Sequence, residues 1–535
     1  MMKAVWVVFF VTVACCDANT VERQTKIGKL RGNLLQVLGN VVEEYVGIPY
    51  AEPPIGDLRF KEPLPRSPWE GTYDATTGGT ACPQPPAIEN ARRPLIYTED
   101  CLHLNVWAPE RAQKSPVLVW IHGGGFTFGS ASTDIYSGHA LAAKTGFVVV
   151  SINYRLGLLG FLNANSPDAP GNQGLLDQNM ALKWVQDNIE AFGGDPTMVT
   201  IFGESAGGMS VHSHVLSPMS KGLFKRAMMM SGSMYTIDFF ESVHESIIKG
   251  NKVAQMVGCA QPDRDLVSNT DEVLKCLRSK KADELVLATA EVADPAIFAA
   301  LPTYHDQFCP KVPTVAIDRG FFQDVEVLTG VTTDEGALAL VFPRTPELWK
   351  DSLEDLHQDK FDHAIRRSVL SWTKTDVTTL LGEYINRTPP VDKEALRRDY
   401  IDYLSDRVFN CPAQFLAEKH SARGNPVYFY IFGHRSENDG LPSWMGAPHY
   451  TEIPYFLALP FDDEVRYTDE DRNVSEYLVA MLTSFAQTGT PKLPGVDTWP
   501  KYTKDAPVAI WLAPNNFTEV HAYRKDVCET WRNAI

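Results

Sequence analysis

The chain has few basic residues for the number of its acidic ones. It contains 49 lysines and arginines against 66 aspartates and glutamates, which gives a formal net charge of -17 at pH 7. Nucleic acids are bound by surfaces rich in lysine and arginine, so this balance argues against a nucleic-acid partner. The negative charge can steer a cationic ligand towards the protein, but an acidic balance more often serves solubility.

The chain also lacks a long hydrophobic run after its first residues, and a membrane-spanning helix needs about 20 apolar residues. Its one apolar start, Ala4–Ala14, follows Lys3 and ends in small residues before Asp17 and Ala18. This pattern is typical of a secretory signal peptide, which we place at residues 1–18. The last residues form neither an anchor tail nor an ER-retention signal. We therefore expect a secreted, extracellular protein without a membrane anchor.

Cysteine pairs with the CxxC spacing of a zinc site are absent, so we predict no metal centre. Nine cysteines are present, and two of them fall within the predicted signal peptide. The seven that remain are an odd number, so at least one thiol stays unpaired or pairs outside the chain. Closeness in sequence suggests that Cys82 pairs with Cys101 and Cys259 with Cys276, but it does not fix the connectivity.

Three sequons would accept glycan in an exported chain. They begin at Asn386, Asn473 and Asn516. The sequon at Asn386 is the weakest of the three because Pro389 follows it directly.

Internal repeats, low-complexity tracts and long linkers are absent too, so we predict one large domain over residues 19–535. Apolar runs such as 117–121 and 147–152 alternate with amphipathic segments such as 174–192. This alternation predicts a largely parallel sheet with helices on both faces, the α/β class. In such sheets the chemistry gathers in the loops at the carboxyl ends of the strands.

One of these loops has the pattern Gly-x-Ser-x-Gly, centred on Ser205. It follows the β-branched run 198–202 and precedes a segment that can open a helix. This is the setting of a nucleophile elbow, a sharp turn that exposes a serine hydroxyl at the sheet edge. After the strand at 117–121 comes a second glycine-rich loop, 122–126, whose backbone N–H groups can converge on a developing oxyanion.

A serine becomes a strong nucleophile only when a base takes its proton, and an acid must orient that base. Asp334 and Glu335 follow a predicted strand, and either can be the acid. His434 and His449 both follow the strand that ends at Phe432. Spacing alone does not separate the members of either pair.

With these motifs taken together, the chain resembles the type B carboxylesterase and cholinesterase family. The resemblance implies an α/β-hydrolase fold, covers about residue 26 to the end, and rests on seven stretches. They are 99–105, 120–126, 153–157, 171–178, 192–208, 334–336 and 444–449.

The resemblance implies a catalytic triad of Ser205 as nucleophile, His449 as base and Glu335 as acid. It further implies oxyanion donors, disulfides and internal ion pairs. The donors are the N–H groups of Gly124, Gly125 and Ala206; the disulfides are Cys82–Cys101, Cys259–Cys276 and Cys411–Cys528, which leaves Cys309 free; the ion pairs are Arg59–Glu99 and Arg155–Asp177. The expected reaction is hydrolysis of a small-molecule ester through an acyl-enzyme, which requires no metal or other cofactor.

The substrate is where this chain departs from the cholinesterases, which hold a quaternary ammonium against aromatic rings. Their key tryptophan lies in the loop closed by the first disulfide, and here residues 83–100 contain no tryptophan. Position 338, aromatic in cholinesterases, is Leu338. We therefore predict a broad-specificity carboxylesterase for neutral esters, with a choline-ester hydrolase as the alternative and a non-catalytic adhesion or binding protein as a third reading. The sequence does not indicate an oligomeric state.

Overall fold

The computed structural model describes residues 19–86, 95–292, 300–339, 378–385, 392–496, 498–514 and 516–534, together with residues 350, 353, 354, 357 and 359. The predicted signal peptide and the sequon at Asn386 lie outside the described residues.

Most of the strands belong to one large sheet. The strands are β1 (Thr20–Thr25), β2 (Gly28–Val37), β3 (Asn40–Pro49), β4 (Thr72–Asp74), β5 (Thr80–Ala81), β6 (Ile96–Tyr97), β7 (His103–Pro109), β8 (Ser115–Ile121), β9 (Val148–Ile152), β10 (Asn163–Ser166), β11 (Ala169–Pro170), β12 (Gly194–Glu204), β13 (Arg226–Met230), β14 (Glu326–Thr332), β15 (Val427–Phe432), β16 (Val508–Ala513) and β17 (Asn516–His521).

The large sheet is mixed, with a parallel centre and antiparallel edges. Its order is β1-β2-β3-β7-β9-β8-β12-β13-β14-β15-β16-β17, and β4 pairs with β2. From β9 through β16 all neighbouring strands are parallel, whereas β1, β2, β3 and β7 on one side and β17 on the other pair antiparallel. Two short pairs, β10 with β11 and β5 with β6, lie outside this sheet. The predicted, largely parallel sheet is therefore confirmed at the centre of the fold.

Helices follow most of the central strands. They are α1 (His139–Thr145), α2 (Gly157–Phe161), α3 (Gln173–Asn188), α4 (Ala206–Leu216), α5 (Val243–Met256), α6 (Thr270–Ser279), α7 (Ala282–Val292), α8 (Pro313–Asp318), α9 (Gly336–Ala339), α10 (Thr378–Ile385), α11 (Lys393–Ser405), α12 (Cys411–Ala422), α13 (Ile453–Phe456), α14 (Asp469–Thr488) and α15 (Lys525–Ala534). Short 3-10 turns lie at Gly56–Leu58, Asp134–Tyr136, Ile189–Phe192, Pro218–Ser220, Ile237–Phe239, Ser443–Met445 and Leu459–Phe461, and a π-helical turn, Asp406–Asn410, joins α11 to α12.

The central strands are apolar on both faces, because side chains along a strand point alternately to opposite sides. In β8, Val117, Val119 and Ile121 pack in one core together with α3 and α4. Leu118 and Trp120, the residues between them, pack in a second core with α1 and α14. The continuous apolar run of β8 is thus explained by a sheet that is covered on both sides.

This arrangement brings the loops that follow β8, β12, β13, β14 and β15 to one edge of the sheet. Gly203 and Glu204 at the end of β12 pair with Met229 and Met230 at the end of β13. Met230 in turn pairs with Gly330 of β14. None of the helices in the described ranges combines the length and the apolar character that crossing a membrane requires.

Candidate active site

Ser205 stands alone between a strand and a helix. Strand β12 ends at Glu204 and helix α4 begins at Ala206, and Ser205 has φ 58° and ψ -124°. A positive φ is strained for a residue with a side chain, so the surrounding structure must impose this turn. The imposed turn has the strand–serine–helix geometry that the sequence predicted for a nucleophile elbow.

The glycines around Ser205 allow strand and helix to approach closely. A Cβ atom on Gly207 would lie 2.1 Å from the carbonyl oxygen of Ile121 at the end of β8, and one on Gly203 would lie 2.5 Å from the same oxygen. Such distances are shorter than any non-bonded contact allows, so both positions require glycine. Because Gly203 and Gly207 lie this close to the end of β8, the elbow lies beside the glycine-rich loop that follows β8.

That loop provides the expected backbone donors. Gly124 and Gly125 have positive φ, 102° and 59°. In the described residues, the N–H groups of Gly124, Gly125 and Ala206 have no hydrogen-bond acceptor. A Cβ atom on Gly123 would lie 3.1 Å from Cβ of Ser205, so the loop lies against the serine. Backbone N–H groups without acceptors beside a serine are what an oxyanion hole needs.

Hydrogen bonds fix the start of this loop. The hydroxyl of Tyr154 donates to the carbonyl oxygen of His122 over 2.8 Å. Nδ1 of His122 lies 2.9 Å from the carbonyl oxygen of Gly123, and burial lowers the pKa of His122 to about 4. The imidazole therefore remains neutral at physiological pH, and Nδ1 carries the proton that the carbonyl accepts.

His449 and Glu335 are in direct contact. Nδ1 of His449 lies 2.6 Å from Oε2 of Glu335. The other carboxylate oxygen of Glu335 accepts from the backbone N–H of Thr332 at 2.7 Å and from the hydroxyl of Ser231 at 2.5 Å. Glu335 is completely buried, so its orientation is fixed by these three contacts.

The two residues that spacing left as alternatives contact other groups. Asp334 pairs with Arg398 and accepts from the backbone N–H of Ala447 at 2.9 Å. Nε2 of His434 lies 2.7 Å from Oδ1 of Asp471. Neither Asp334 nor His434 is hydrogen-bonded to His449 or Ser205 in the part of the chain that the structure describes.

The structure does not bring Ser205 and His449 into a hydrogen bond. The Ser205 hydroxyl has no hydrogen-bond partner within the described ranges. Nε2 of His449 lies 3.0 Å from Oε1 of Glu204, the residue before the serine. This short contact does not have the geometry of an aligned hydrogen bond, and Oε1 of Glu204 has no other hydrogen-bond partner among the described residues. In enzymes without a bound substrate, the hydrogen bond between a serine and the histidine that serves it as base is often long, and it tightens only when the substrate binds.

Three carboxyl groups surround the one imidazole. Burial alone would lower the pKa of His449, but the negative charges of Glu204 and Glu335 outweigh burial and raise it well above its usual value. Burial raises the pKa of Glu204, although His449 opposes this effect. Burial and the charges of Glu204 and Glu335 raise the pKa of Glu452 well above its usual range. The pKa values of His449, Glu204 and Glu452 are therefore all raised, because the three groups share one buried site.

Sequence reasoning missed two members of this cluster, Ser231 and Glu452. Both are buried, and the hydroxyl of Ser231 lies 3.2 Å from Oε1 of Glu452. Ser231 directly follows β13, so its position at the carboxyl end of a central strand was available as a signal. Glu452 lies three residues after His449, and no motif in the sequence pointed to it.

Three disulfides and one free thiol account for the seven cysteines that follow the predicted signal peptide. Disulfides join Cys82 to Cys101, Cys259 to Cys276, and Cys411 to Cys528. Cys309 is free, its thiol donates to the carbonyl of Lys311 at 3.3 Å, and burial raises its pKa to about 12, which leaves it protonated and a poor nucleophile.

Both expected ion pairs are formed. Nε of Arg59 lies 2.7 Å from Glu99, next to the first disulfide, and Nε of Arg155 lies 2.7 Å from Asp177. Arg155 and Asp177 are both buried, which gives them a role in holding the fold together.

Two of the glycosylation candidates lie in regular elements. Asn516 is exposed and opens β17 at one end of the large sheet, and Asn473 lies within α14. Their glycosylation remains a prediction.

The fold and site define the class of protein: a mixed, centrally parallel sheet with an elbow serine is that of an α/β hydrolase. Residues 19–531 match the model of the Carboxylesterase family. The chain is also 35% identical to acetylcholinesterase from Bungarus fasciatus, over 97% of this chain and 87% of that one. It therefore belongs to the carboxylesterase family, as its motifs predicted, and is a carboxylic ester hydrolase.

Proposed function

We propose that the protein hydrolyses esters through an acyl-enzyme formed on Ser205. His449 is the base and Glu335 the acid that orients it. The observation that carries this proposal is the placement of His449: Nδ1 is bonded to Glu335, while Nε2 faces the segment that contains the elbow. No other histidine that follows the acid in sequence has this arrangement among the described residues.

The reaction proceeds in two halves. The oxygen of Ser205 attacks the ester carbonyl while Nε2 of His449 takes its proton, and the tetrahedral oxyanion accepts from the N–H groups of Gly124, Gly125 and Ala206. His449 then returns the proton to the departing alcohol. Water, activated by the same imidazole, attacks the acyl-enzyme, and the acid product leaves with Ser205 restored.

The first half requires Nε2 to turn from Glu204 towards the serine hydroxyl. Glu204 competes most strongly for this nitrogen when it is ionised, because opposite charges attract in a buried site. Burial raises the pKa of Glu204, although His449 opposes this effect. We propose that the imidazole makes this turn when a substrate is bound.

For the substrate we propose neutral aliphatic or aryl esters. A choline ester needs aromatic faces for its cation, each worth up to about 2 kcal/mol. Leu338 is the third residue of the short helix α9 and has an aliphatic side chain. The loop closed by Cys82 and Cys101 contains no tryptophan. Two missing contacts correspond to a loss of affinity by orders of magnitude.

A choline ester is the second candidate, and two observations favour it. The buried carboxyl group of Glu204 lies beside the elbow, where a cation would find a counter-charge. The similarity to acetylcholinesterase extends over 97% of the chain.

A substrate panel tests both parts of the proposal. Short and long p-nitrophenyl esters are compared with acetylthiocholine and with its uncharged analogue, 3,3-dimethylbutyl thioacetate. We expect kcat/KM to be higher for the uncharged thioester than for acetylthiocholine; the reverse order would support the choline-ester reading. Ser205→Ala should lower kcat by at least about 10⁴-fold on every ester. If it retained the parent's rate, the proposed mechanism would be wrong.

A further inference from the structure

The connection between α11 and α12 is a π-helical turn, Asp406–Asn410. The backbone N–H of Cys411 donates to the carbonyl of Asp406, five residues earlier, and Pro412 has no N–H with which to continue a regular α-helical ladder. Such a turn inserts one extra residue into a helix and is often found at functional sites. Here it shifts the side chains of the turn relative to those of the flanking helices.

Several contacts anchor this turn. The completely buried carboxylate of Asp406 accepts from Arg524, from the hydroxyl of Tyr384 at 2.9 Å and from the amide of Asn410 at 2.9 Å. The hydroxyl of Thr236 donates to the carbonyl of Val408 at 2.9 Å. The disulfide between Cys411 and Cys528 follows immediately. Because these contacts fix the turn, they hold the side chain of Phe409 in a defined place.

The side chain of Phe409 packs against the imidazole of His449. The ring centroids are 4.3 Å apart and the planes are inclined by 37°. Phe409 is only half-buried, although it also packs against the main core. Its ring therefore contacts both the imidazole and the core and remains partly exposed. Phe409 lies 40 positions before His449 and outside every motif, so no signal in the sequence indicated this contact.

We infer that Phe409 is a positioning residue for the base, on the proposal that His449 is that base. Its ring supports the imidazole while Nε2 turns between Glu204 and the serine, and it offers the imidazolium an aromatic face in the transition state. The groups that face His449 from the other elements are Glu204 at the end of β12, Glu335 after β14 and Glu452 before α13. All three are carboxyl groups, whereas Phe409 gives the imidazole an aromatic contact.

This role follows from how an aromatic ring interacts with a histidine. The electron-rich face of a ring attracts a cation more than a neutral group, so it favours the imidazolium that forms when Ser205 gives up its proton. A fixed neighbour also removes rotamers that the imidazole would otherwise populate, and orientation of the base contributes directly to the rate. Both effects act on kcat and leave substrate affinity unchanged.

The test compares Phe409→Leu with Phe409→Tyr in the full-length protein. Leucine keeps an apolar side chain but loses the aromatic face, whereas tyrosine keeps the face. We expect Phe409→Leu to lower kcat by about two- to fivefold at unchanged KM, the size expected of one cation–π contact, and to move the acid limb of the pH profile to lower pH. Phe409→Tyr should restore both values. Phe321→Leu, an exposed phenylalanine replaced in the same way, serves as the control.

Two p-nitrophenyl esters with small and large acyl groups separate this role from that of a substrate contact. A Phe409→Leu variant that changed only KM, or only the rate on the larger ester, would overturn the inference in favour of a substrate wall. Unchanged kinetics and an unchanged pH profile in a folded variant would overturn it too. Loss of activity in Ser205→Ala, measured alongside, shows whether the proposed mechanism holds independently of Phe409.

Discussion

Two histidines follow strand β15, and each contacts a buried carboxylate at nearly the same distance. Nδ1 of His449 lies 2.6 Å from Glu335, and Nε2 of His434 lies 2.7 Å from Asp471. Both imidazoles are largely buried. The histidine–carboxylate pair by itself therefore does not identify a catalytic base.

The two pairs differ in what surrounds the carboxylate and the second ring nitrogen. Asp471 also accepts from Ser436, Tyr455 and the backbone N–H of Thr468, where it completes a capping box at the start of α14. The second nitrogen of His434 points towards Glu470, 4.0 Å away at the helix surface. The second nitrogen of His449 faces the elbow segment. One pair caps a helix, and the other is the pair that we propose takes part in proton transfer.

The largest expected effect separates the two histidines. His449→Gln should reduce kcat about as much as Ser205→Ala, by at least about 10⁴-fold, because the two residues act as one unit. His434→Gln should keep kcat/KM within about threefold of the parent. Both rates are measured on a p-nitrophenyl ester, with circular dichroism to show that each variant is folded. An inactive, folded His434→Gln together with an active His449→Gln would reverse the assignment of the base.

The sequence predicts the sheet and the elbow, but not which of two neighbouring residues contacts the histidine. Both sides of a buried strand must be apolar, so runs such as 117–121 and 427–432 predict the sheet, and the glycines around Ser205 predict the elbow. The choice between neighbours such as Asp334 and Glu335 is not encoded locally. It depends on Arg398 and on Gly446, where a Cβ atom would lie 2.2 Å from Asp334, and both are far away in sequence.

Long-range packing likewise explains why Glu452 and Phe409 could not be predicted, and why Ser231 offered only its position after β13 as a signal. Each reaches the site from a different element, and each lacks a motif of its own. The resemblance to a family implied the triad because the motifs that carry it contain Ser205, Glu335 and His449. None of those motifs contains Glu452, Ser231 or Phe409, so the resemblance gave no prediction for them.

The next effect concerns pH and tests the charge around His449. The negative charge of Glu204 helps to raise the pKa of His449, and a base must be unprotonated to act, so activity should fall as pH decreases through that pKa. Glu204→Gln removes one charge and should therefore move the acid limb of kcat/KM to lower pH. Glu418→Gln, in a carboxyl group that pairs with Arg532 away from the elbow, is the control. An acid limb that stayed in place or moved upwards in Glu204→Gln would contradict this account.

The smallest expected effect is on stability, and it concerns the pair of His434 and Asp471. Burial alone would raise the pKa of Asp471, but hydrogen bonds from His434, Thr468 and Ser436 outweigh it and hold the pKa well below its usual range. A carboxyl group with a depressed pKa stabilises the fold above its unfolded value, about 3.9, and loses this contribution as pH falls towards the lower folded value.

Asp471→Asn should therefore lower the free energy of unfolding by about 1 to 2 kcal/mol at pH 7, the range for loss of a helix cap, while kcat changes little. The difference from the parent should shrink below about pH 4, where the parent's carboxylate begins to take up its proton. Urea unfolding of both proteins at pH 7, 5 and 3 measures this difference in the free energy of unfolding. Asp469→Asn, which replaces an exposed residue in the first turn of the same helix, should change stability by less than about 0.5 kcal/mol. If Asp471→Asn instead abolished activity in a stable protein, the helix cap would itself be part of the catalytic site, and the distinction between the two pairs would fail.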